Sequence, residues 1–181
     1  RLDLGQIAMA GHSFGAWTTL VAVGESLPLA GRRVLSVADK RIKAAIPMSA
    51  PVPRKGADLD AVFGPITVPC LHMTGTLDDS PIGDTTAAER RLPFDHSTNC
   101  QRYLITFTGG DHMIFSGRPR TMGGGEKDAE FQSLIRQSSL AFLDAYLRDD
   151  AAAKAWLGGG AFQKVLGERG VFEQRAAGRS K

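Results

Sequence analysis

The chain has 181 residues, of which 43% are hydrophobic and 23% are charged, and its net charge is +3. This balance is ordinary for a soluble globular protein. The charge is too small for a nucleic-acid-binding surface, and no apolar stretch is long enough to span a membrane.

The first predicted elements are a short strand and a helix with a serine between them. The apolar run IAMA predicts a buried strand, and AWTTLVAVGES, which has no proline, predicts a helix. The intervening GHSFG places Gly11 and Gly15 two residues before and after Ser13. This G-x-S-x-G pattern is typical of a nucleophile elbow, a sharp turn that exposes the serine. We expect both glycines to be required because a β-carbon at either position would collide with neighbouring backbone.

Three further strands are predicted along the chain, in IKAAIPMSAPV, in CLHM and in QRYLITFTGGDHMIF. A short helix is predicted in TTAAERRL, where Pro93 would end it. A glycine-rich connection, SGRPRTMGGG, leads to the long amphipathic helix EKDAEFQSLIRQSSLAFLDAYLRDD. A short helix and a polar end are expected in residues 148–181.

This alternation of strands and helices predicts an α/β domain with a mostly parallel sheet covered by helices on both faces. In such sheets, functional loops follow the carboxyl ends of the strands. Three predicted strand ends carry Ser13, Asp78 or Asp79, and His112, in that order. A serine nucleophile needs a histidine base, which in turn needs a carboxylate. The sequence therefore predicts Ser13 as nucleophile and His112 as base.

The carboxylate is predicted to be Asp78, which lies nearer the strand end than Asp79. Asp79 is expected to cap a turn or to face solvent. Asp111 is a weaker alternative, because it adjoins His112 and its side chain is expected to point away from that histidine.

The other histidines are not expected to be catalytic. His12 is expected to pack within the elbow, His72 to lie in the core and His96 to lie in a polar loop. No spacing typical of a zinc site or a phosphate-binding loop is present, so neither a metal nor a cofactor is predicted. The basic clusters GRR, KRIK and ERR are expected to be solvated. Cys70 and Cys100 either form a disulfide between neighbouring strands or remain two buried thiols.

The motifs GHSFGA, MTGTLDDSPIGDTTAAERRLPFDH and FTGGDHMIFSG, in this order, resemble the α/β-hydrolase superfamily. The similarity is closest to bacterial dienelactone-hydrolase-like or platelet-activating-factor-acetylhydrolase-like esterases, and it covers residues 5 to about 147. It implies an α/β-hydrolase fold, a triad of Ser13, Asp78 and His112, and a serine esterase that acts on a small-molecule ester. Dienelactone hydrolase proper has a cysteine where this chain has Ser13, so lactonase activity is not implied. The resemblance also allows for export from a bacterial cell.

The oxyanion of an acyl-transfer reaction needs at least two donors, and the backbone N–H of Phe14 is expected to be one. The other normally follows an earlier strand, and no such strand precedes IAMA. We therefore expect residues 1–181 to be the C-terminal portion of one longer α/β-hydrolase domain. Its catalytic core would be about 5–147, with a helical tail in 148–181, and its activity alone would be weak or absent.

Apolar residues next to Ser13 and His112 are candidates to line an acyl pocket: Phe14, Trp17, Met113, Ile114 and Phe115. For Trp17 and Ile114, simple core packing is the alternative. Compact loops after the elbow helix favour esters with short- to medium-chain acyl groups. The same triad also cleaves amides in peptidases, so an amidase or peptidase is one alternative to an esterase. A non-catalytic binding domain is the other. The binding domain is disfavoured because all three triad positions are filled.

Overall fold

A computed structural model describes residues 3–28, 34–117 and 125–178. The described strands, in chain order, are β1 (Ile7–His12), β2 (Leu27–Pro28), β3 (Val34–Leu35), β4 (Ile42–Met48), β5 (Cys70–Leu77), β6 (Arg102–Asp111) and β7 (Gly170–Arg175). Five of them form one sheet in the order β1-β4-β5-β6-β7, while β2 and β3 pair as a separate antiparallel ribbon. Strands β1, β4, β5 and β6 are parallel, and β7 runs antiparallel to β6. The carboxyl ends of the four parallel strands therefore lie along one edge of the sheet.

The described helices are α1 (Phe14–Val23), α2 (Leu59–Phe63), α3 (Leu92–His96), α4 (Asp128–Leu147), α5 (Ala151–Gly158) and α6 (Ala161–Leu166). Short 3-10 turns lie at Glu89–Arg91, His112–Phe115 and Gly167–Arg169. None of these helices has the length and apolar composition of a membrane span.

Two apolar clusters form the core. One joins the alternating Tyr103, Ile105 and Phe107 of β6 to residues of α4, α5 and α6. The other joins residues of α1 and α2, including Leu20 and Phe63, to the opposite side of the strands. Successive residues of a strand point to opposite faces, so helices pack on both faces of the sheet. The prediction of an α/β domain with a mostly parallel sheet is confirmed.

Two predictions about local structure were wrong. The helix predicted in TTAAERRL is present only as the 3-10 turn Glu89–Arg91, and Pro93 does not end it, because Pro93 lies in the first turn of α3. A proline is tolerated there because the first backbone N–H groups of a helix have no intrahelical acceptor. Residues 148–181 are not only helical, because β7 adds an antiparallel strand beside β6. Its GVFEQR sequence is too polar to indicate a strand without its neighbour.

Other predictions concern residues that are only partly described. Most of the glycine-rich connection, residues 118–124, lies outside the described residues, as do 31–33 of the GRR cluster and the last three residues of the polar end. The structure decides between the two alternatives for the cysteines: Cys70 and Cys100 are both buried thiols, and neither is in a disulfide.

His72 lies inside the sheet, as its apolar surroundings predicted. Its side chain is 3% exposed, its ring meets the edge of Phe94, and its Nε2 has no hydrogen-bond partner among the described residues. Burial, with the nearby positive charge of Arg102, lowers the pKa of His72 to about 3. The histidine is therefore neutral in the folded protein near pH 7.

This burial predicts a loss of stability in acid. Between an unfolded pKa of about 6.5 and the folded pKa of about 3, only the unfolded chain binds the proton of His72. The free energy of unfolding should therefore fall by about 1.4 kcal/mol per pH unit from this group as pH drops through that range. Denaturant titrations from pH 7 to pH 3.5 should give a shallower slope for His72→Gln than for wild type.

The matched control is Phe94→Leu, which disturbs the same part of the core without a titratable group. It should lower the free energy of unfolding by a similar amount at every pH. A His72→Gln curve parallel to wild type would show that His72 is not the source of the acid sensitivity.

Candidate active site

Ser13 occupies a sharp turn between β1 and α1. Its backbone has φ 57° and ψ −117°, a conformation that is strained for a residue with a β-carbon. The turn is tight because a β-carbon on Gly11 would lie 2.2 Å from the carbonyl oxygen of Gly15. The expected requirement for glycine is therefore met at Gly11. At Gly15 a β-carbon would meet no atom within 4 Å among the described residues, so that expectation was wrong.

A chain of hydrogen bonds connects Ser13, His112 and Asp78. The Nε2 of His112 lies 3.0 Å from the Oγ of Ser13, and its Nδ1 lies 2.8 Å from the Oδ1 of Asp78. Asp78 is fully buried, His112 is 7% exposed, and Ser13 is half-buried. An ionised carboxylate only accepts hydrogen bonds, so it selects the histidine tautomer with the proton on Nδ1. Nε2 is then free to accept the serine proton.

The close approach of β5 and β6 sets the distance between Asp78 and His112. A β-carbon on Gly75 would lie 2.1 Å from the carbonyl oxygen of Gly110, so this crossing needs glycine. The strand register shifts after Gly75, which ends the regular pairing just before Asp78. The adjacent Asp111 accepts a hydrogen bond from the N–H of Met113 and caps the turn that carries His112.

Two hydroxyl groups hold the other oxygen of Asp78. Oδ2 accepts hydrogen bonds from the Oγ of Ser49 at 2.5 Å and from the Oγ1 of Thr74 at 2.9 Å. Ser49 directly follows β4 and has φ 54°. Both hydroxyls are buried. The carboxylate is therefore fixed from two sides, with Oδ1 toward the histidine and Oδ2 toward the hydroxyls.

Arg90 is buried beside this pair, with 3% of its surface exposed. Its Nη1 donates to the carbonyl oxygen of Ser49 at 2.8 Å and its Nε donates to that of Asp78 at 3.1 Å. Nε also lies 3.6 Å from the Oδ1 of Asp78, and Nη2 lies 3.4 Å from the Nδ1 of His112. Burial lowers the pKa of Arg90, which the negative charge of Asp78 opposes. The guanidinium stays charged and ties the ends of β4 and β5 together.

Sequence reasoning missed both Ser49 and Arg90. Ser49 had a usable signal, since it is the polar residue at the end of an apolar strand, as Ser13 and Asp78 are. Arg90 had none, because it belongs to the ERR cluster that was expected to be solvated. That expectation was wrong for Arg90 and also for Arg91, which is half-buried and contacts two acidic side chains.

The remaining candidate residues lie outside the hydrogen-bonded chain. Asp79 is exposed and accepts a hydrogen bond from the N–H of Ala87 at 2.8 Å. His96 contacts Asp60 at 2.6 Å, away from Ser13.

His12 packs against the ring of His112, with ring centroids 4.6 Å apart. Burial is the main cause that lowers the pKa of His12, and the electrostatic interaction with the adjacent His112 lowers it further. A neutral ring therefore packs, tilted by 45°, against the histidine that contacts Ser13.

A groove of about 630 Å³ begins beside the candidate site at Phe14. Trp17 lines it and lies 5.0 Å from Phe14 between ring centroids, and segment 51–57 forms another wall. The other predicted pocket residues are not among those that line it: Met113 is exposed, while Ile114 and Phe115 belong to the core. The 3-10 turn that begins at His112 directs the latter two inward.

The side chain of Phe14 is 69% exposed, and its backbone N–H has no acceptor among the described residues. A free N–H in the first turn of a helix is an available anion donor. Within the described ranges, no group of three His, Cys, Asp or Glu side chains is placed to hold a metal ion. The chain matches no protein-family model and no curated protein sequence. A functional proposal therefore depends on the geometry of the site.

Proposed function

We propose that this chain carries the catalytic residues of a serine hydrolase of the α/β-hydrolase superfamily, which cleaves carboxylic esters through an acyl-enzyme intermediate. The observation that carries the proposal is the hydrogen-bonded chain from Ser13 through His112 to Asp78, with the serine on a strained strand-to-helix turn. Each of the three residues, taken alone, has a non-catalytic explanation, such as a histidine in the core or a serine in a turn. None of these explanations requires the three side chains to be hydrogen-bonded to one another in this order.

In the proposed mechanism, the Oγ of Ser13 attacks the ester carbonyl while the Nε2 of His112 takes its proton. His112 then gives this proton to the leaving alcohol, and a water molecule hydrolyses the acyl-enzyme by the same steps in reverse. Asp78 keeps the Nδ1 proton in place and stabilises the imidazolium. The hydroxyls of Ser49 and Thr74 hold the carboxylate in the orientation that this task needs.

The tetrahedral oxyanion is stabilised in this proposal by the backbone N–H of Phe14, at the positive end of α1. The groove beside Phe14 supports binding of the acyl group there. Its volume is sufficient for a short- or medium-chain acyl group.

The proposal is tested by active-site labelling of the natural full-length protein with a fluorophosphonate probe. We expect stoichiometric labelling of Ser13, located by peptide mass spectrometry, and hydrolysis of 4-nitrophenyl esters from acetate to octanoate. Turnover of the matched 4-nitroanilides at a higher kcat/KM than the esters would instead assign an amidase. A folded protein that is not labelled at Ser13 would overturn the proposal and favour a binding domain.

A further inference from the structure

The guanidinium of Arg90 lies beside the hydrogen bond between His112 and Asp78, and the proposed mechanism does not use it. Its Nη2 is 3.4 Å from the Nδ1 of His112, and its Nε is 3.6 Å from the Oδ1 of Asp78. These two atoms share the Nδ1 proton and are 2.8 Å apart. Arg90 therefore faces this histidine–aspartate pair directly, whereas Ser49 and Thr74 bind the other oxygen of the carboxylate.

Backbone groups fix the position of this cation. Arg90 lies in the 3-10 turn Glu89–Arg91, and its Nη1 and Nε donate to the carbonyl oxygens of Ser49 and Asp78 at 2.8 and 3.1 Å. Its side chain is 1% exposed. Salt and water screen a buried charge little, so the guanidinium acts strongly on ionisable groups a few ångströms away.

Other ionisable groups near the histidine–aspartate pair have a weaker effect on its charge. His12 packs against the ring of His112, but burial and then the charge of His112 lower the pKa of His12, so it is neutral near pH 7. Asp111 is half-buried and caps the turn through the N–H of Met113, and Asp79 is exposed to solvent. Arg90 is therefore the buried charge that balances the carboxylate of the pair.

We propose that Arg90 is a positioning residue of the triad, which keeps the Asp78 carboxylate ionised and the His112 ring uncharged until Ser13 gives up its proton. The proposal rests on the proposed esterase function. A proton added to the pair meets the positive charge of the guanidinium, so Arg90 weakens proton binding by the resting enzyme. A pair that already holds an extra proton has no base for Ser13, whichever of its two groups carries that proton.

The same positive charge also opposes the imidazolium that forms during the reaction. Arg90 therefore makes His112 a weaker base while keeping it available in more acidic solution. Its role is to extend the pH range of activity toward acid rather than to raise the maximal rate.

The test is the pH dependence of kcat/KM for 4-nitrophenyl butyrate from pH 4.5 to 9, followed at the isosbestic wavelength of 4-nitrophenol, on the natural full-length protein. We expect Arg90→Met to move the midpoint of the acid limb upward by about one pH unit or more, which is about a tenfold loss of kcat/KM below that limb. Arg90→Lys keeps a positive charge but cannot form both backbone hydrogen bonds in the same way. It should lower kcat and leave the midpoint within about 0.3 pH unit of wild type.

Arg91→Met is the matched control, because it removes the neighbouring arginine, whose guanidinium contacts Asp95 and Glu173 instead. Its midpoint should equal that of wild type. A merely structural role of Arg90 would lower kcat and the free energy of unfolding at every pH but would leave the midpoint in place. If Arg90→Met does not fold, Arg90→Gln replaces it with the same expected shift, because an amide keeps an N–H donor for the backbone carbonyls and carries no charge.

An acid limb of the uncharged variant at the wild-type pH, or at a lower pH, would overturn the proposal and leave the esterase function standing. A limb of Arg90→Lys that moves as far as that of the uncharged variant would also overturn it, because the positive charge would then not be the cause. Wild-type protein that hydrolyses no ester and is not labelled at Ser13 would overturn both the esterase function and this role of Arg90.

Discussion

Replacing Ser13 with alanine in the natural full-length protein should lower kcat for ester hydrolysis by about 10⁶-fold, the scale of nucleophile loss in serine hydrolases. The hydroxyl is the only group in the hydrogen-bonded chain that can form an acyl-enzyme, and without it His112 has no proton to take. Measurement of 4-nitrophenyl butyrate hydrolysis and of fluorophosphonate labelling tests this. Ser133→Ala, on α4 and away from the site, should keep both. Hydrolysis near the wild-type rate would show that the nucleophile is misassigned.

The same position offers a test of strain. Alanine at φ 57° keeps the strained backbone, so Ser13→Ala should change the free energy of unfolding little. Glycine adopts this conformation without a steric penalty, so Ser13→Gly should be more stable than Ser13→Ala by about 1 kcal/mol, although equally inactive. Denaturant titration of both variants measures the difference. A less stable glycine variant would contradict the assignment of strain to this turn.

Asp78→Asn should lower kcat by about 10⁴-fold, the loss seen when the acid of the serine-protease triad is changed in the same way. The reason lies in the two hydroxyls on Oδ2. Ser49 and Thr74 both donate to this oxygen, so an asparagine would turn its own oxygen toward them. Its NH₂ group would then face the Nδ1 of His112 as a donor. Nδ1 would have to accept, the proton would move to Nε2, and the histidine could not take the serine proton.

Asp79→Asn is the matched control, because it makes the same chemical change one residue away. Asp79 is exposed and accepts a hydrogen bond from the N–H of Ala87, an interaction that an amide oxygen can also make. Its kcat should stay within about threefold of wild type, since exposed changes of this kind cost little. If Asp79→Asn proved the more damaging change, Asp79 would be the acid, and the roles of Ser49 and Thr74 would need another explanation.

The strand-to-helix turn at Ser13 and the α/β class could be predicted from sequence because their causes are local. Position 11 needs glycine because the backbone of Gly15, four residues later, lies too close to leave room for a β-carbon. Any chain that makes this turn has the same requirement. The alternation along β6 sets which residues enter the core. The order of serine, acid and histidine predicted the candidate site, but only under the assumption that their strands are parallel neighbours.

The structure alone decided what lies around these residues. Ser13 and His112 are 99 residues apart in the chain, and they meet because β1, β4, β5 and β6 are parallel and end at one edge. The sequence predicts that Arg90 is a charge on the surface. It is buried instead, and two backbone carbonyl groups and a carboxylate stabilise its guanidinium there. The turn that begins at His112 likewise places Phe115 in the core.

Sequence by itself thus determined the types of residue at the strand ends and the class of fold, since backbone sterics and hydrophobic periodicity act over a few residues. Tertiary structure decided the acid's partners, the place of β7 and the existence of the groove beside Phe14. A polar or charged side chain is stable in a protein interior only where distant residues supply its hydrogen bonds or charge. Those distant residues are set by strand order and packing, which no local pattern encodes.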